Sequence, residues 1–191
     1  MAAFSVAAET PPPTDVDVLL DGEAYVVRAS AHLVADQHVA WEALTDYERL
    51  GEFVPGVTRS VVVGRRGNEL TLEQEGVFSI FFLDLPVRVR LAVRHTPYER
   101  VVARLAPGPV MGGNATLRSF TGRYGLVSIR WVNWSGVRLD YDARFELVDP
   151  VPAIASQLFG VAALRRTMRT QFEAMGREIE RRQAMRPGPE E

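Results

Sequence analysis

The sequence predicts an α+β fold in which an antiparallel β-sheet carries a long C-terminal helix on its apolar face. Three observations predict it: apolar–polar alternation at 24–33, further alternating runs from 57 to about 147, and helical spacing after Pro150. One-sided alternation is typical of an antiparallel sheet with one buried and one solvated face. The C-terminal helix must cover the buried face, because the rest of the chain offers no other element to do so.

The first predicted strand, 24–33, leads into two short helices. Asp36 is a candidate N-cap for the first of them. The apolar stripe of that helix comprises Val39, Ala40, Ala43, Leu44 and Tyr47. Gly51 is expected to end the helix, and the segment "EFVPGV" to form a short second helix or turn before the next strand.

About six to seven strands are expected in the sheet, and the last of them has the clearest pattern. Its apolar face comprises Val137, Leu139, Tyr141, Ala143, Phe145 and Leu147, while charged residues alternate with them. The final helix has apolar residues at spacings of three and four, which predicts an amphipathic helix of about seven turns. These residues are Val161, Leu164, Met168, Phe172, Met175 and Ile179.

Composition limits the domain organisation and the chemistry. We expect a disordered lead-in at 1–16, one domain at 17–185 and a tail at 186–191. A net charge of -2 argues against nucleic acid as a partner. The chain has no cysteine and all 22 of its basic residues are arginine, which excludes thiolate and lysine mechanisms. With no basic secretion signal and no long apolar run, a cytoplasmic location is expected.

Few residues suggest catalysis. His32, His38 and His95 lack the spacing of metal ligands, and His95, at a strand end beside Thr96 and Pro97, is interpreted as a turn residue. The serines lack a nucleophile-elbow pattern. We therefore expect no metal and no cofactor, and we assign no catalytic residue.

Polar residues on apolar strand faces are more informative. In "NATLRSFTGRY", either face would bring an arginine to the interior, and a buried arginine needs an anionic or carbonyl partner. We expect Arg118, which shares strand parity with Phe120 and Tyr124, to face a cavity. Arg104 is a second candidate by the same argument, and Gln74 is a possible polar contact inside an apolar pocket.

Two apolar clusters suggest a cavity mouth or an interface. The segment "VFSIFFLDLP" places Phe78, Phe81, Phe82 and Leu83 near a strand reversal. This cluster is a candidate cavity mouth, membrane-touching tip or self-association patch. Trp131 and Trp134 lie at the next tight turn, where aromatic rings with polar edges suit a mouth or an interface.

The order of three motifs is similar to a known superfamily. The segments are "VAWEALTDYERLGEFVPGV", "RSFTGRY" and the closing "LRRTMRTQFEAMGREIERR". Together they resemble the START/Bet v 1-like superfamily, particularly its polyketide cyclase/dehydrase and coenzyme Q-binding branch, over residues 24 to about 183. Tyr124 stands where that branch usually has tryptophan, and the hairpin "YGLVSIRWVNWSG" is longer and more aromatic than expected.

The resemblance implies a helix-grip fold, a curved antiparallel sheet of about six to seven strands wrapped round a long C-terminal helix. An apolar cavity often lies between the two. It also implies an intracellular protein that binds a hydrophobic small molecule, such as a lipid, an isoprenoid quinone or a polyketide-like compound. The residues expected to contact this ligand are Phe53, Gln74, Phe78, Arg104, Arg118, Phe120, Tyr124, Trp131, Tyr141, Met168 and Phe172.

Two alternatives stay open. The first is a cofactor-free polyketide aromatase/cyclase or dehydratase, in which Arg118, Arg104 or Tyr124 polarises a carbonyl. The second is a coenzyme Q chaperone associated with a membrane or respiratory complex, with peripheral contact through Phe81, Phe82 and Leu83. The sequence leaves the oligomeric state open.

Overall fold

An antiparallel sheet dominates the part of the chain that the computed structural model describes, residues 11–80, 83–108, 117–131, 134–148 and 160–186. The side chains at 78–80 and 83–85 lie outside this description. The strands are β1 (Asp15–Asp21), β2 (Ala24–Leu33), β3 (Val57–Arg66), β4 (Glu69–Ile80), β5 (Leu83–Thr96), β6 (Arg100–Leu105), β7 (Leu117–Arg130) and β8 (Ser135–Leu147). The helices are α1 (Gln37–Thr45), α2 (Leu50–Phe53) and α3 (Val161–Ala184), with a 3₁₀ turn at Tyr47–Arg49 between α1 and α2.

The eight strands are ordered β1-β2-β8-β7-β6-β5-β4-β3, and every neighbouring pair is antiparallel. Strands β3 to β8 form a meander, and β8 then pairs with β2. The chain therefore travels from β2 to the far edge of the sheet through α1, the 3₁₀ turn and α2. These short helical segments pack against β3, β7 and β8 and lie across one end of the sheet.

Helix α3 packs over the inner face of the curved sheet, as the sequence predicts. Leu164, Phe172, Met175 and Ile179 are buried, which confirms the apolar stripe of this helix. On the sheet, the inner-facing Val137 and Leu139 of β8 are fully buried. The α+β helix-grip architecture is therefore confirmed.

Three local details complete or correct the sequence analysis. The Asp36 side chain accepts a hydrogen bond from the His38 N–H at 2.7 Å, which confirms the N-cap. The prediction that the helix ends at Gly51 is wrong, because α1 ends at Thr45 and Gly51 lies inside α2. A Cβ on Gly51 would lie 3.2 Å from the Val57 carbonyl oxygen, so its small size permits a close approach to β3. The edge strand β1 is additional to the strands expected from the sequence.

Within the described ranges, no helix combines the length and the hydrophobicity needed to cross a membrane.

Candidate functional site

An apolar cavity of about 240 Å³ lies between the inner face of the sheet and α3. Strands β2 and β4 to β8 supply most of its wall, and the 3₁₀ turn and α2 close one end. Small inner-face residues, Ala29, Ala103 and Gly122, leave room for it, whereas larger side chains at these positions would fill the space. A small molecule in this cavity would lose much of its contact with water.

Aromatic rings form one wall. Tyr124 and Tyr141 are directly opposite each other in the β7–β8 pairing, and their rings stack with centroids 4.5 Å apart. Phe172 of α3 lies next to Tyr141, with ring centroids 6.5 Å apart. Burial raises the pKa of Tyr124 to about 12, and burial together with Tyr124 raises the pKa of Tyr141 as well. Both phenols are therefore neutral hydrogen-bonding groups at neutral pH.

Neither of these two hydroxyls forms a hydrogen bond with another side chain or backbone group of the described part. A ligand oxygen or a water that reaches either hydroxyl would gain a hydrogen bond that the described part of the protein does not supply.

A third tyrosine of the cavity wall comes from the 3₁₀ turn. Tyr47 lines the cavity, is only 7% exposed, and its hydroxyl oxygen lies 2.7 Å from Nε2 of His95. The two rings stack at 5.8 Å, and Trp41 meets the His95 ring edge-on at 5.3 Å. Burial, followed by the positive charge of Arg65, lowers the pKa of His95 below its usual value.

Burial is also the main cause that raises the pKa of Tyr47, so this phenol keeps its proton at neutral pH.

The amide and carboxylate side chains of the cavity wall have hydrogen-bond or ion-pair partners within the protein. Gln74 donates to the Ser60 hydroxyl at 3.2 Å, and Gln171 of α3 donates to the Pro55 carbonyl at 2.8 Å. Glu75 pairs with Arg59 at 3.2 Å. No arginine lines the cavity in the described part of the chain. The interior therefore suits an uncharged ligand better than an anionic one.

Six of the eleven predicted ligand-contact residues line the cavity. Those that line the cavity are Gln74, Phe120, Tyr124, Tyr141, Met168 and Phe172. Phe53 packs against the core beside the cavity, with the Arg182 guanidinium 5.5 Å from its ring centre. The Phe78 side chain lies outside the described residues, as do Phe81, Phe82 and the Leu83 side chain. Contact of any of these residues with a ligand stays a prediction.

Arg118 does not face the cavity, contrary to the expectation from strand parity. The β7–β8 register shifts between Leu117 and Ser119, and this bulge removes Arg118 from the alternation that Phe120 and Tyr124 follow. Its guanidinium is exposed and donates to Glu23 at 2.9 Å.

Arg104 and Trp131 also lie away from the cavity. Arg104 is exposed and opposite Thr121 in the pairing of β6 with β7. It alternates with Ala103 and Leu105, which pack against the core, so it points to the outer face. Trp131 stacks on Trp134 with ring centroids 5.8 Å apart, at the turn between β7 and β8. Neither side chain lines the cavity, contrary to the expectation that Arg104 faces it and that Trp131 contacts the ligand.

Tyr47 and His95 are the functional candidates that the sequence analysis missed. A signal for His95 was present, because it continues the alternation of Val89, Leu91 and Val93, all buried on the inner face of β5. The Tyr47 position carried no comparable signal, since an aromatic residue in a helical stripe is usually a core residue.

An antiparallel sheet that grips a long helix around an apolar cavity defines the START-like, helix-grip class of proteins. The family model described as polyketide cyclase / dehydrase and lipid transport matches residues 33–173, most of the chain. The chain therefore belongs to this family. No curated protein sequence matches this chain.

Solved structures with the same fold have low sequence identity to this chain. The Zhui aromatase/cyclase from Streptomyces sp. R1128 is 11% identical, with a TM-score of 0.62 over 83% of this chain and 95% of that one. A STAR-related lipid transfer protein from Xanthomonas axonopodis is 14% identical, with a TM-score of 0.63 over 86% and 98% of the two chains.

The di-domain ARO/CYC BexL of the BE-7585A biosynthetic pathway is 14% identical, with a TM-score of 0.58 over 86% of this chain. This chain spans about half of that protein, 52% of its length. At such identities the likeness shows the fold alone. Family membership supports two kinds of function, the binding of a hydrophobic ligand and polyketide cyclisation.

Proposed function

We propose that the protein binds a compact, uncharged hydrophobic molecule in the cavity between the sheet and α3. The observation that carries the proposal is the cavity itself, which is walled by aliphatic and aromatic side chains and contains neutral phenol hydroxyls. Burial of apolar ligand surface would supply affinity at about 25 cal/mol per Å². The hydroxyls of Tyr124 and Tyr141 would offer hydrogen bonds to further polar groups of the ligand.

The size of the cavity favours one part of the expected ligand range. Pockets for drug-sized molecules usually enclose about 300–1,000 Å³, and this cavity encloses about 240 Å³. A molecule of two or three rings matches that space, whereas a long isoprenoid tail exceeds it. Among the ligand classes expected from the sequence, a polyketide-like compound therefore fits better than a quinone with its full tail.

Cyclase or dehydratase chemistry is a second candidate, favoured by the free hydroxyls of Tyr124 and Tyr141. A phenol that donates to a carbonyl oxygen polarises it, and a narrow cavity folds a flexible chain into a reactive geometry. The structural likeness to the Zhui aromatase/cyclase is consistent with this candidate. The cavity-facing arginine that the sequence analysis assigned to this chemistry is absent from the described wall.

The first experiment is native mass spectrometry of the protein purified from its own host, followed by organic extraction of the bound molecule. We expect a stoichiometric apolar compound. A matched pair of variants links the result to the cavity: Ala103→Phe introduces a ring into the wall, whereas Ala92→Phe places the same ring on the exposed outer face of the neighbouring strand.

Ala103→Phe should lose the compound and Ala92→Phe should retain it. Equal occupancy in both variants would contradict binding in this cavity. A wild-type protein that is purified empty and also binds no naphthalene would contradict the binding function itself. Assays with poly-β-keto substrates, run on the wild type and on Tyr124→Phe, test the cyclase candidate separately.

The membrane-contact and location hypotheses concern other parts of the molecule. Phe81, Phe82 and Leu83 stay the predicted membrane-touching residues, and cosedimentation with phospholipid vesicles tests them. A cytoplasmic location also stays a prediction, which fractionation of the host cell tests.

A further inference from the structure

We propose that Tyr47 and His95 form a hydrogen-bonding site for an oxygen atom of the ligand at the helical end of the cavity. Tyr47 would contact the ligand, and His95 would be a positioning residue that sets whether the Tyr47 hydroxyl donates or accepts. This inference rests on the proposed binding function and adds a chemical class to it. The ligand should carry a hydroxyl, enol or ketone oxygen at the end that enters below α1 and α2.

The geometry places the two residues in different roles. Tyr47 belongs to the cavity wall, while His95 lies behind it, with its Nε2 atom 2.7 Å from the Tyr47 oxygen. The ring of His95 is fixed by stacking on Tyr47 and by the edge-on contact with Trp41. Its own backbone N–H is bonded to the Asn68 carbonyl at 2.9 Å. A side chain held on these sides can orient the hydroxyl without touching the ligand.

The hydrogen-bonding capacity of the pair would allow it to bind more than one kind of oxygen group. A phenol hydroxyl has one hydrogen to donate and lone pairs to accept, and a neutral imidazole has one nitrogen of each kind. When Nε2 accepts the Tyr47 hydrogen, the Tyr47 oxygen remains open to a ligand hydroxyl. When Nε2 carries the hydrogen and donates it, the Tyr47 hydrogen is directed to a ligand carbonyl.

The pair differs from Tyr124 and Tyr141 in its hydrogen bonding, although Tyr124 lies close to it across β6, because His95 is opposite Val101 and Val101 is opposite Tyr124. The hydroxyls of Tyr124 and Tyr141 face the cavity without a protein partner in the described part, so the protein does not fix their direction. Among the cavity tyrosines of the described part, Tyr47 has a hydroxyl that is hydrogen-bonded to a side chain, the imidazole of His95. A preorganised group discriminates more strongly between ligands than a free one, because less orientational freedom is lost on binding.

The test compares probes of nearly the same shape: naphthalene, 2-naphthol and 2-tetralone, titrated by calorimetry. We expect the wild type to bind the two oxygenated probes about five- to tenfold more tightly than naphthalene, as one added hydrogen bond allows. Tyr47→Phe keeps the ring but not the hydroxyl, so it should lose most of this preference, measured within the variant as the ratio of its Kd for naphthalene to its Kd for each oxygenated probe. Tyr25→Phe is the matched control, because Tyr25 is buried against Phe145 but is not part of the cavity wall.

His95 is tested by a pair of variants. His95→Gln keeps a group that can donate and accept, and it should retain most of the preference, whereas His95→Leu should reduce it several-fold. A second measurement on the unchanged protein covers variants that fail to fold: the ¹⁵N NMR signals of the His95 ring should shift on addition of 2-naphthol but not of naphthalene.

Three results are decisive against the inference. A Tyr47→Phe protein that keeps the full preference for the oxygenated probes overturns it and leaves the proposed function intact. Unmoved His95 signals with saturating 2-naphthol overturn it as well. A wild-type protein that binds none of the three probes overturns both the inference and the proposed function.

Discussion

At the scale of single residues, Glu178 is a buried carboxylate that two arginines bond through three hydrogen bonds. It is 6% exposed and accepts hydrogen bonds at 2.7 Å from both Arg181 and Arg182. Arg182 also bonds Asp46 at 2.7 Å, which ties the end of α3 to the residue after α1. The hydrogen bonds from Arg181, opposed by burial and reinforced by Arg182, lower the pKa of Glu178 to about 2.

This carboxylate should therefore contribute a pH-dependent part of the free energy of unfolding. The pKa is lower in the folded than in the unfolded state, so the contribution is present above pH 4.5 and is lost as the pH falls towards 2. Glu178→Gln should reduce the free energy of unfolding at pH 7 by roughly 1–3 kcal/mol. It should also flatten the loss of stability between about pH 4.5 and 2, as measured by urea unfolding.

Glu173→Gln is the control for Glu178→Gln, because Glu173 is 38% exposed and its ion pairs on α3 are 3.9 and 4.0 Å long. We expect a change within about 0.5 kcal/mol, as for most exposed pairs. The Glu178 network would not be a source of stability if the two variants lost the same free energy of unfolding. The same would follow if Glu178→Gln lost stability between about pH 4.5 and 2 as steeply as the wild type.

Single residues also differ in whether their placement could be predicted from the sequence. Alternation identified Phe120, Tyr124 and Tyr141 as inner-face residues, and it would also have identified His95. It failed at Arg118, because a bulge changes strand parity without any fixed residue signature. The Tyr47–His95 bond joins residues 48 positions apart, and only the packing of the 3₁₀ turn against β5 reveals it.

At the scale of elements, the passage from α2 into β3 depends on two glycines that meet backbone to backbone. Gly56 has a φ of 85°, and its carbonyl accepts a hydrogen bond from the Val77 N–H at 2.8 Å. A Cβ added to Gly76 of β4 would lie 2.3 Å from that carbonyl oxygen. The β3–β4 register is irregular between Val57 and Arg59, beside this contact. Close approach of the two backbones therefore fixes how the helical segment closes the sheet.

Gly76→Ala should separate these backbones and destabilise the protein. We expect a loss of about 1–3 kcal/mol in the free energy of unfolding, the usual cost of forcing an extra carbon into a packed site. Gly64→Ala on β3 is the control, since its Cβ would meet Thr71 at an ordinary 3.8 Å. That variant should be within about 0.5 kcal/mol of the wild type. An unchanged free energy of unfolding in Gly76→Ala would mean that the two backbones can separate at this end of the sheet without cost.

Element prediction from the sequence was correct where the periodicity was long and failed where turn geometry decided the outcome. The alternation of β8 and the apolar spacing of α3 extend over many residues. The type of each element and the face that it buries were therefore predicted correctly. The break after α1 was misplaced to Gly51. A glycine in a short helical segment has the same sequence signature whether it ends a helix or permits a close contact.

At the scale of the whole molecule, the cavity results from small residues on several strands that face large side chains of the helix. Ala29, Ala103 and Gly122 lie on three different strands, and a Cβ on Gly122 would lie 2.7 Å from the ring of Phe120. Phe172 of α3 faces them and is buried. No local sequence pattern predicts the cavity, because it depends on the sizes of side chains that meet only after the sheet has curved round the helix. The cavity was expected from family resemblance and not from residue patterns.

Phe172 therefore both stabilises the fold and limits the size of the ligand. Phe172→Ala should lower the free energy of unfolding by about 3 kcal/mol, near the lower end for phenylalanine truncation, because the ring already borders a cavity. The enlarged cavity should bind pyrene, a four-ring probe, more tightly than the wild type does. Saturation at 100 times the Kd should then restore about 2.7 kcal/mol of stability. Urea unfolding with and without pyrene measures both effects.

Met185→Ala is the control for Phe172→Ala, since Met185 is 61% exposed just beyond α3 and should change neither quantity. A Phe172→Ala variant that loses stability without gaining affinity for pyrene would mean that the wall collapses on the missing ring, so that Phe172 does not limit ligand size. Full stability in that variant would mean that α3 does not seal the cavity through this residue. Lower stability that pyrene restores, together with a higher affinity for pyrene than the wild type has, would show that the Phe172 ring occupies space that a larger ligand can use.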